Sequence, residues 1–174
     1  MNEELVVLLA ADGTRIGTEA KARVHTESTP LHLAFSCYLY NDEGQILLTR
    51  RALSKKTWPG VWTNSFCGHP GVAESFEAAI ARRAEQELGT HITQVRELLP
   101  DFAYRAVDAS GIVENEICPV FTARISGELA PHPDEVAEYV WVTPADLLTA
   151  ATATPFVFSP WLLEQITQGS LKNI

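Results

Sequence analysis

One capped helix set between two long runs of strand-like sequence constrains this chain more than any other feature. From Ser75 to Leu88 the residues keep a helical period. Ser75 is placed to cap the N-terminus, Glu77 falls in the first turn and Gly89 stands just past the end. At about 100° per residue, Phe76, Ile80, Ala84 and Leu88 sweep out one apolar arc, the face that must meet a sheet. Upstream, Leu5 to Ala10 and Arg15 to Thr18 read as a hairpin around the turn Asp12-Gly13. Leu31 to Tyr40 alternates, with Leu31, Leu33, Phe35, Cys37 and Leu39 on one face and His32, Ala34, Ser36, Tyr38 and Tyr40 on the other. Asn41-Asp42-Glu43-Gly44 then turns the chain into a strand over Gln45 to Arg50. Downstream, strands are expected around Ile92 to Leu98, Phe102 to Val107, Ile112 to Ile125 and Tyr139 to Val142, with a closing helix over Ser159 to Thr167. Strands, helix, strands, helix is the order of an α+β or mixed α/β layered fold.

The length of 174 residues suits a single domain, 1–174, with one core. Hydrophobic residues at 46% and charged residues at 20% match a soluble globular chain. A net charge of -9 disfavours nucleic acid and anionic membrane surfaces as partners, so an anionic ligand needs a local basic pocket. Three widely spaced cysteines, Cys37, Cys67 and Cys118, argue for free thiols in a reducing compartment. The start Met1-Asn2-Glu3-Glu4 is too acidic, and Leu5 to Ala11 too short, for a signal peptide, and no run reaches the roughly 18 apolar residues of a membrane span. The expected location is the cytoplasm.

Several groups stand out as chemistry. Leu53 to Gly71 carries Pro59, Gly60, Gly68, Pro70 and Gly71, a long ordered loop of the kind that carries function, with at most a short strand near Asn64 to Cys67. Glu87 falls inside the apolar arc of the helix and Arg83 at its edge, either an i,i+4 pair at the core rim or a carboxylate kept for a metal. Glu114 and Glu116 lie two apart in an apolar-flanked strand and so share a face; Cys67 and His69 do the same. Each pair alone is common on a solvated edge or as inert packing. Arg50, Arg51, Lys55 and Lys56 fall within seven positions of a cation-poor chain, which suits a phosphorylated ligand. Trp58, Trp62 and Trp161 add aromatic surface, and His91, His132, Cys37 and Cys118 receive no role.

From Gly68, five residues lead to Glu74 and seven more to Arg82, followed by Arg83-Ala84-Glu85-Gln86-Glu87-Leu88-Gly89, which resembles the Nudix box. It departs where the hydrolase pattern has Glu and this chain has Arg83 and Gln86, so the acidic cluster that activates water is incomplete. Arg50-Arg51-Ala52-Leu53-Ser54-Lys55-Lys56, the run Trp58-Pro59-Gly60-Val61-Trp62-Thr63-Asn64-Ser65-Phe66-Cys67-Gly68-His69-Pro70 and Gly111-Ile112-Val113-Glu114-Asn115-Glu116 resemble the type I isopentenyl-diphosphate delta-isomerases. The likeness runs from about Lys21 to Trp161, and the tail beyond Trp161 carries no reading.

That resemblance implies a Nudix-like mixed sheet sandwiched by helices, core about 30–164, with an N-terminal β extension. It implies a metal site of His25, His32, His69, Glu114 and Glu116 for Mn²⁺, Mg²⁺ or Zn²⁺, and Mg²⁺ held by Glu87 with the substrate diphosphate. Lys21, Arg51, Lys55 and Arg83 would bind the diphosphate. Cys67 and Glu116 would be the catalytic pair, Tyr104 a hydrogen-bond donor to Glu116, and Trp161 the residue closing the pocket. The implied activity converts isopentenyl diphosphate to dimethylallyl diphosphate for isoprenoid synthesis, by a monomer or homodimer acting on a small diphosphate. A Nudix diphosphate hydrolase and a non-catalytic metal- or diphosphate-binding module are the competing readings.

Overall fold

A computed structural model describes residues 4–172. Twelve strands and four α-helices are formed in the order β1 (Leu5–Leu9), β2 (Arg15–Ala20), α1 (Lys21–Val24), β3 (His32–Leu33), β4 (Phe35–Tyr40), β5 (Ile46–Arg51), β6 (Trp62–Thr63), β7 (Phe66–Gly68), α2 (Phe76–Leu88), β8 (Ile92–Leu99), β9 (Ala103–Val107), β10 (Val113–Ile117), β11 (Val120–Ile125), β12 (Val136–Val142), α3 (Pro144–Ala153) and α4 (Pro160–Thr167). The expected mixed fold is present as two sheets. The smaller has strand order β2-β1-β3-β10-β9; the larger has β12-β5-β4-β11-β8, with β6 added to β5 and β7 to β4.

Helices cover both faces of the larger sheet, which is why β4 is buried along almost its whole length. Phe35, Cys37 and Leu39 point to α2, where they pack with Ala79, Ile80, Ala84 and Leu88. Ala34 and Tyr38 point the other way, to Leu147 of α3 and Trp161 and Leu162 of α4. Each fully buried Ile or Leu of this kind contributes roughly 1.5–3 kcal/mol. The ends of α2 are fixed locally. Ser75 accepts a hydrogen bond from the Ala78 amide, and Gly89 adopts a left-handed φ of 60° while its amide bonds back to Glu85. A side chain there would meet the Ala130 carbonyl oxygen at 2.4 Å, so Gly89 is required twice over.

Three expectations need correction. Leu31 to Tyr40 is not one strand: β3 joins the small sheet and β4 the large one. Ile112 to Ile125 is likewise divided at Cys118-Pro119, where Pro119 has no amide to give to a ladder. The helix α3 was not expected; Thr143 caps it by accepting from the Asp146 amide, with Pro144 opening the first turn. The two strand breaks matter most, because each takes the chain from one sheet to the other beside the same cavity.

Candidate active site

The pairing of the small sheet brings distant residues into one row. Glu116 on β10 lies opposite His32 of β3 on one side and Tyr104 of β9 on the other. Alternation then puts Glu114 on the same face as Glu116. In the larger sheet Cys67 sits on β7 opposite Ser36 of β4, with His69 just beyond the strand end. His25 follows α1 as its C-cap residue. These elements enclose a cavity of about 450 Å³. Every residue of the expected site lines it except His32, which is fully buried behind it.

The three imidazoles meet, with ring centroids 5.2 Å (His25 to His32), 5.2 Å (His32 to His69) and 5.8 Å (His25 to His69) apart. One ligand atom from each, together with a Glu116 oxygen, falls within a 4.8 Å cluster. Glu116 Oε1 is 3.2 Å from Nε2 of both His32 and His69, and Glu114 Oε2 is 3.0 Å from His25 Nε2. Yet His25 Nε2, His32 Nε2 and Glu114 Oε2 are buried without a hydrogen bond of acceptable geometry. Such atoms are costly in isolation, and those of His25 and His32 belong to residues of the clustered set, the arrangement a cation satisfies, whereas Glu114 lies outside that set of four. His32 Nδ1 lies 2.9 Å from the Pro30 carbonyl oxygen, which fixes that nitrogen as the protonated one and leaves Nε2 as the lone pair. The donor set therefore fits a divalent ion.

Burial pushes the His69 imidazole down, and it opposes the charge on His32, where contact with Glu116 more than offsets it and raises the group. For Glu116 burial works to raise the carboxyl, but the His32 and His69 imidazoles beside it hold it well below the usual carboxylate range. Tyr104 donates to Glu116 Oε2 at 3.0 Å. Burial, with the Glu116 charge beside it, pushes the Tyr104 phenol well up, so it stays a donor. The Cys67 thiol is pushed up to about 12 by burial, against hydrogen bonds with Ser36 and Asn64.

Trp161 is 3% exposed and lines the cavity from the α4 side. Its Nε1 donates to Asn64 Oδ1 at 3.0 Å, and its ring lies 5.5 Å from Trp58 and 5.7 Å from Tyr104. The Arg51 guanidinium carbon stands 5.5 Å from the ring centroid. Trp58 is in the left-handed region with φ of 42°, a strained state for a bulky residue, which costs on the order of 1–3 kcal/mol. That twist aims the Thr57 and Trp58 carbonyls together at Arg51 Nε, both at 3.1 Å. Thr57 also donates to Glu114 Oε1 at 2.7 Å, linking the cationic end to the imidazole end.

At the cationic end Lys21, Arg51, Lys55 and Arg83 converge, while Arg50 points away to Glu138 at 2.7 Å. Strand alternation separates the two arginines. Three carboxylates sit among the four cations. Lys21 pairs with Glu4 at 3.0 Å, Lys55 pairs with Glu135, and Arg83 pairs with Glu87 and, at 3.4 Å, with Glu135. The i,i+4 pair and the cavity-lining carboxylate are thus the same Arg83 and Glu87. Glu4, Glu135 and Thr57 carry no sequence signal and are found only here. Glu74 and Arg82 have a structural part. Arg82 donates to both Glu74 oxygens at 2.8 Å and to the His69 carbonyl at 3.1 Å, latching the loop that carries His69. Gln86 is engaged by Arg82 at 3.2 Å and Arg83 at 3.1 Å. The two positions at which the hydrolase pattern has Glu therefore hold an arginine and an amide bound to arginines.

The NUDIX domain family matches residues 30–162. The isopentenyl-diphosphate Delta-isomerase of Leifsonia xyli subsp. xyli is 63% identical over 165 residues, covering 94% of this chain and 89% of that protein. The chain belongs to the isopentenyl-diphosphate Delta-isomerase family, on a Nudix fold. Isopentenyl-diphosphate Delta-isomerases of Paenarthrobacter aurescens and Corynebacterium glutamicum are 61% and 56% identical, over 95% and 98% of the chain. A crystal structure from Deinococcus radiodurans shares the fold with a TM-score of 0.72 at 20% identity, covering 95% of this chain and 98% of that one. Among the described residues of this isomerase-family chain, no helix is long and apolar enough to cross a membrane.

Proposed function

We propose that this chain isomerises isopentenyl diphosphate to dimethylallyl diphosphate with Cys67 and Glu116 as the proton-transfer pair, acting as a single domain over 1–174. The observation that carries the assignment is the convergence of His25, His32, His69 and Glu116 beside Cys67, in a cavity lined by Trp161 and, at its other end, by cations. Lys21, Arg51, Lys55 and Arg83 would bind the diphosphate, and Glu87 would hold a Mg²⁺ that accompanies it. His25, His32, His69, Glu114 and Glu116 would hold Mn²⁺, Mg²⁺ or Zn²⁺, which when bound would supply positive charge beside Glu116.

Moving the double bond inward requires one proton to be added at the terminal carbon and another removed from the carbon on the far side of the branch, through a tertiary carbocation. An unactivated alkene is a poor base, so the donor must be a strong acid. The donor must therefore enter the reaction protonated and the acceptor ionised. Glu116, steadied by Tyr104, delivers the first proton, and Cys67 takes the second. The Trp161 ring offers its π face to the cation, worth roughly 0.5–2 kcal/mol, and keeps out water that would trap it as an alcohol. The setting is cytoplasmic, with a free diphosphate as substrate and a monomer or homodimer as the working form.

The test is incubation with isopentenyl diphosphate and Mg²⁺ in D₂O, followed by NMR. Deuterium is expected in product and in recovered substrate. Absence of both, in folded and metal-loaded protein, rejects the assignment, and phosphate release without isomerisation favours the hydrolase reading.

A further inference from the structure

Behind Cys67, on the side away from the cavity, lies a file of buried polar residues that the reaction as described does not use. Ser36, Tyr38, Gln165 and Ser170 are all fully buried. Four polar side chains in a core are costly unless each is bonded, and apolar residues would fill the same space without that cost. They form one connected chain. Tyr38 Oη donates to Gln165 Oε1 at 2.8 Å, and Gln165 Nε2 donates to Ser36 Oγ at 3.0 Å. Ser170 Oγ is 3.3 Å from Tyr38 Oη, which leaves Tyr38 as its acceptor once the phenol proton is given to Gln165. Ser36 Oγ ends the chain 3.2 Å from Cys67 Sγ, its direct cross-strand partner.

The chain has a direction. Gln165 occupies a lone pair of Ser36, so the single Ser36 proton is available to sulfur, with Cys67 Sγ at 3.2 Å the nearer acceptor and Cys118 Sγ at 3.5 Å the farther. Asn64, the other polar neighbour of Cys67, is already committed. Its amide protons go to the Cys37 and Phe66 carbonyls at 3.1 and 2.9 Å, and its oxygen accepts from Trp161 and Thr63 at 3.0 and 2.9 Å. Its contacts with Cys67 Sγ are the longer ones, 3.4 and 3.5 Å. Ser36 is therefore the donor available to the sulfur.

We propose that Ser36, oriented by Gln165 and Tyr38, is a positioning residue that donates its hydroxyl proton to Cys67 Sγ and so turns the reactive side of the sulfur toward the cavity. The helix α4 then has a second part in the site besides carrying Trp161, one made by a residue in the C-terminal stretch whose sequence carried no reading. This inference rests on the proposed role of Cys67, so wild-type protein and Cys67→Ala are measured alongside.

The experiment compares steady-state kcat and KM for isopentenyl diphosphate, melting temperature and calorimetric binding of inorganic pyrophosphate with Mg²⁺, across Ser36→Ala, Gln165→Glu and the double variant. Loss of a hydrogen bond to a charged or reacting group predicts a kcat about 10- to 100-fold lower for Ser36→Ala, with KM and pyrophosphate affinity within about twofold of wild-type. Gln165→Glu, in its ionised form, makes position 165 an acceptor only and draws the Ser36 proton away from sulfur, so a loss of similar size is expected at alkaline pH. The double variant is expected to be no worse than either single one, because both act through one bond. Ser36→Thr, which keeps the hydroxyl, is expected to retain kcat within about threefold. A folded Ser36→Ala with kcat within threefold of wild-type overturns the inference. So do losses that multiply in the double variant, or kcat and pyrophosphate affinity falling together. Where Ser36→Ala does not fold, Gln165→Met carries the same expectation and the same refutation. An inactive wild-type, or a Cys67→Ala that turns over, refutes the role of Cys67 itself; an active wild-type, an inactive Cys67→Ala and an unaffected Ser36→Ala refute only the relay.

Discussion

Replacing Tyr104 by Phe removes one oxygen atom from the row His32, Glu116, Tyr104 and leaves the rest of the side chain in place. The hydroxyl donates to Glu116 Oε2 at 3.0 Å, whereas both close imidazole contacts fall on the other oxygen, Oε1. Both partners of the bond are buried. A buried hydrogen bond to a charged group is worth about 1.5–3 kcal/mol, and each 1.36 kcal/mol is a factor of ten in rate, so kcat is expected to fall about 10- to 100-fold. KM is expected to stay within about twofold. The ring keeps its stacking on Phe102 at 5.8 Å and its contact with Trp161 at 5.7 Å, and the diphosphate contacts lie elsewhere. The assay is isomerisation followed by NMR in D₂O with metal content measured on the same sample. A variant with normal metal content and kcat within threefold of wild-type refutes the placing of Tyr104 as the support of a reacting carboxylate. A rise in KM with kcat unchanged refutes it equally, because it makes the phenol a binding group.

Glu135→Gln frees Lys55 and Arg83 from a partly buried carboxylate worth about 1 kcal/mol, so KM for the diphosphate is expected to fall about three- to tenfold at fixed Mg²⁺; a rise shows Glu135 serving the ion instead. Gly68→Ala is expected to lower affinity for inorganic pyrophosphate, because the added methyl would stand 2.7 Å from Arg83 Cγ and 3.0 Å from the Phe35 ring; calorimetry showing unchanged affinity counts against it. The hydrogen bond from Arg82 holds the Glu74 carboxyl below its usual range. A depressed folded value gives stabilisation that is present above the unfolded value and lost as pH falls through the folded one, so Glu74→Gln is expected to lower Tm by a few degrees at pH 7, for about 1 kcal/mol, with the difference closing below about pH 4. A gap that persists in acid means that packing, and not the ion pair, latches the loop.

How much of this was legible depends on whether the signal was local. The α2 helix was readable because its caps and its apolar arc lie within its own residues. The α3 helix was not, since among its ten residues only Leu147 and Ala151 are buried and its Ala- and Thr-rich sequence shows little contrast between faces. Periodicity gave the shared faces of Glu114 with Glu116 and of Cys67 with His69. It could not give the row through His32, Glu116 and Tyr104, which is set by pairing between β3, β10 and β9. The meeting of His25, His32 and His69 was expected from family resemblance alone, because no local pattern joins residues so far apart in the chain. Glu135 follows His132-Pro133-Asp134 in an irregular stretch, and Gln165 looks like any polar helix residue until Tyr38 and Ser36 are seen on either side of it.

The two strand breaks at Ala34 and at Cys118-Pro119 give this site an uncommon ownership. His32, Tyr104, Glu114 and Glu116 belong to the small sheet, while Cys67 is part of the large one and His69 follows directly on from it. Neither sheet on its own carries both Cys67 and Glu116. An ion held by His25, His32, His69 and Glu116 would act as a rivet between the layers, so chelation is expected to lower the melting temperature.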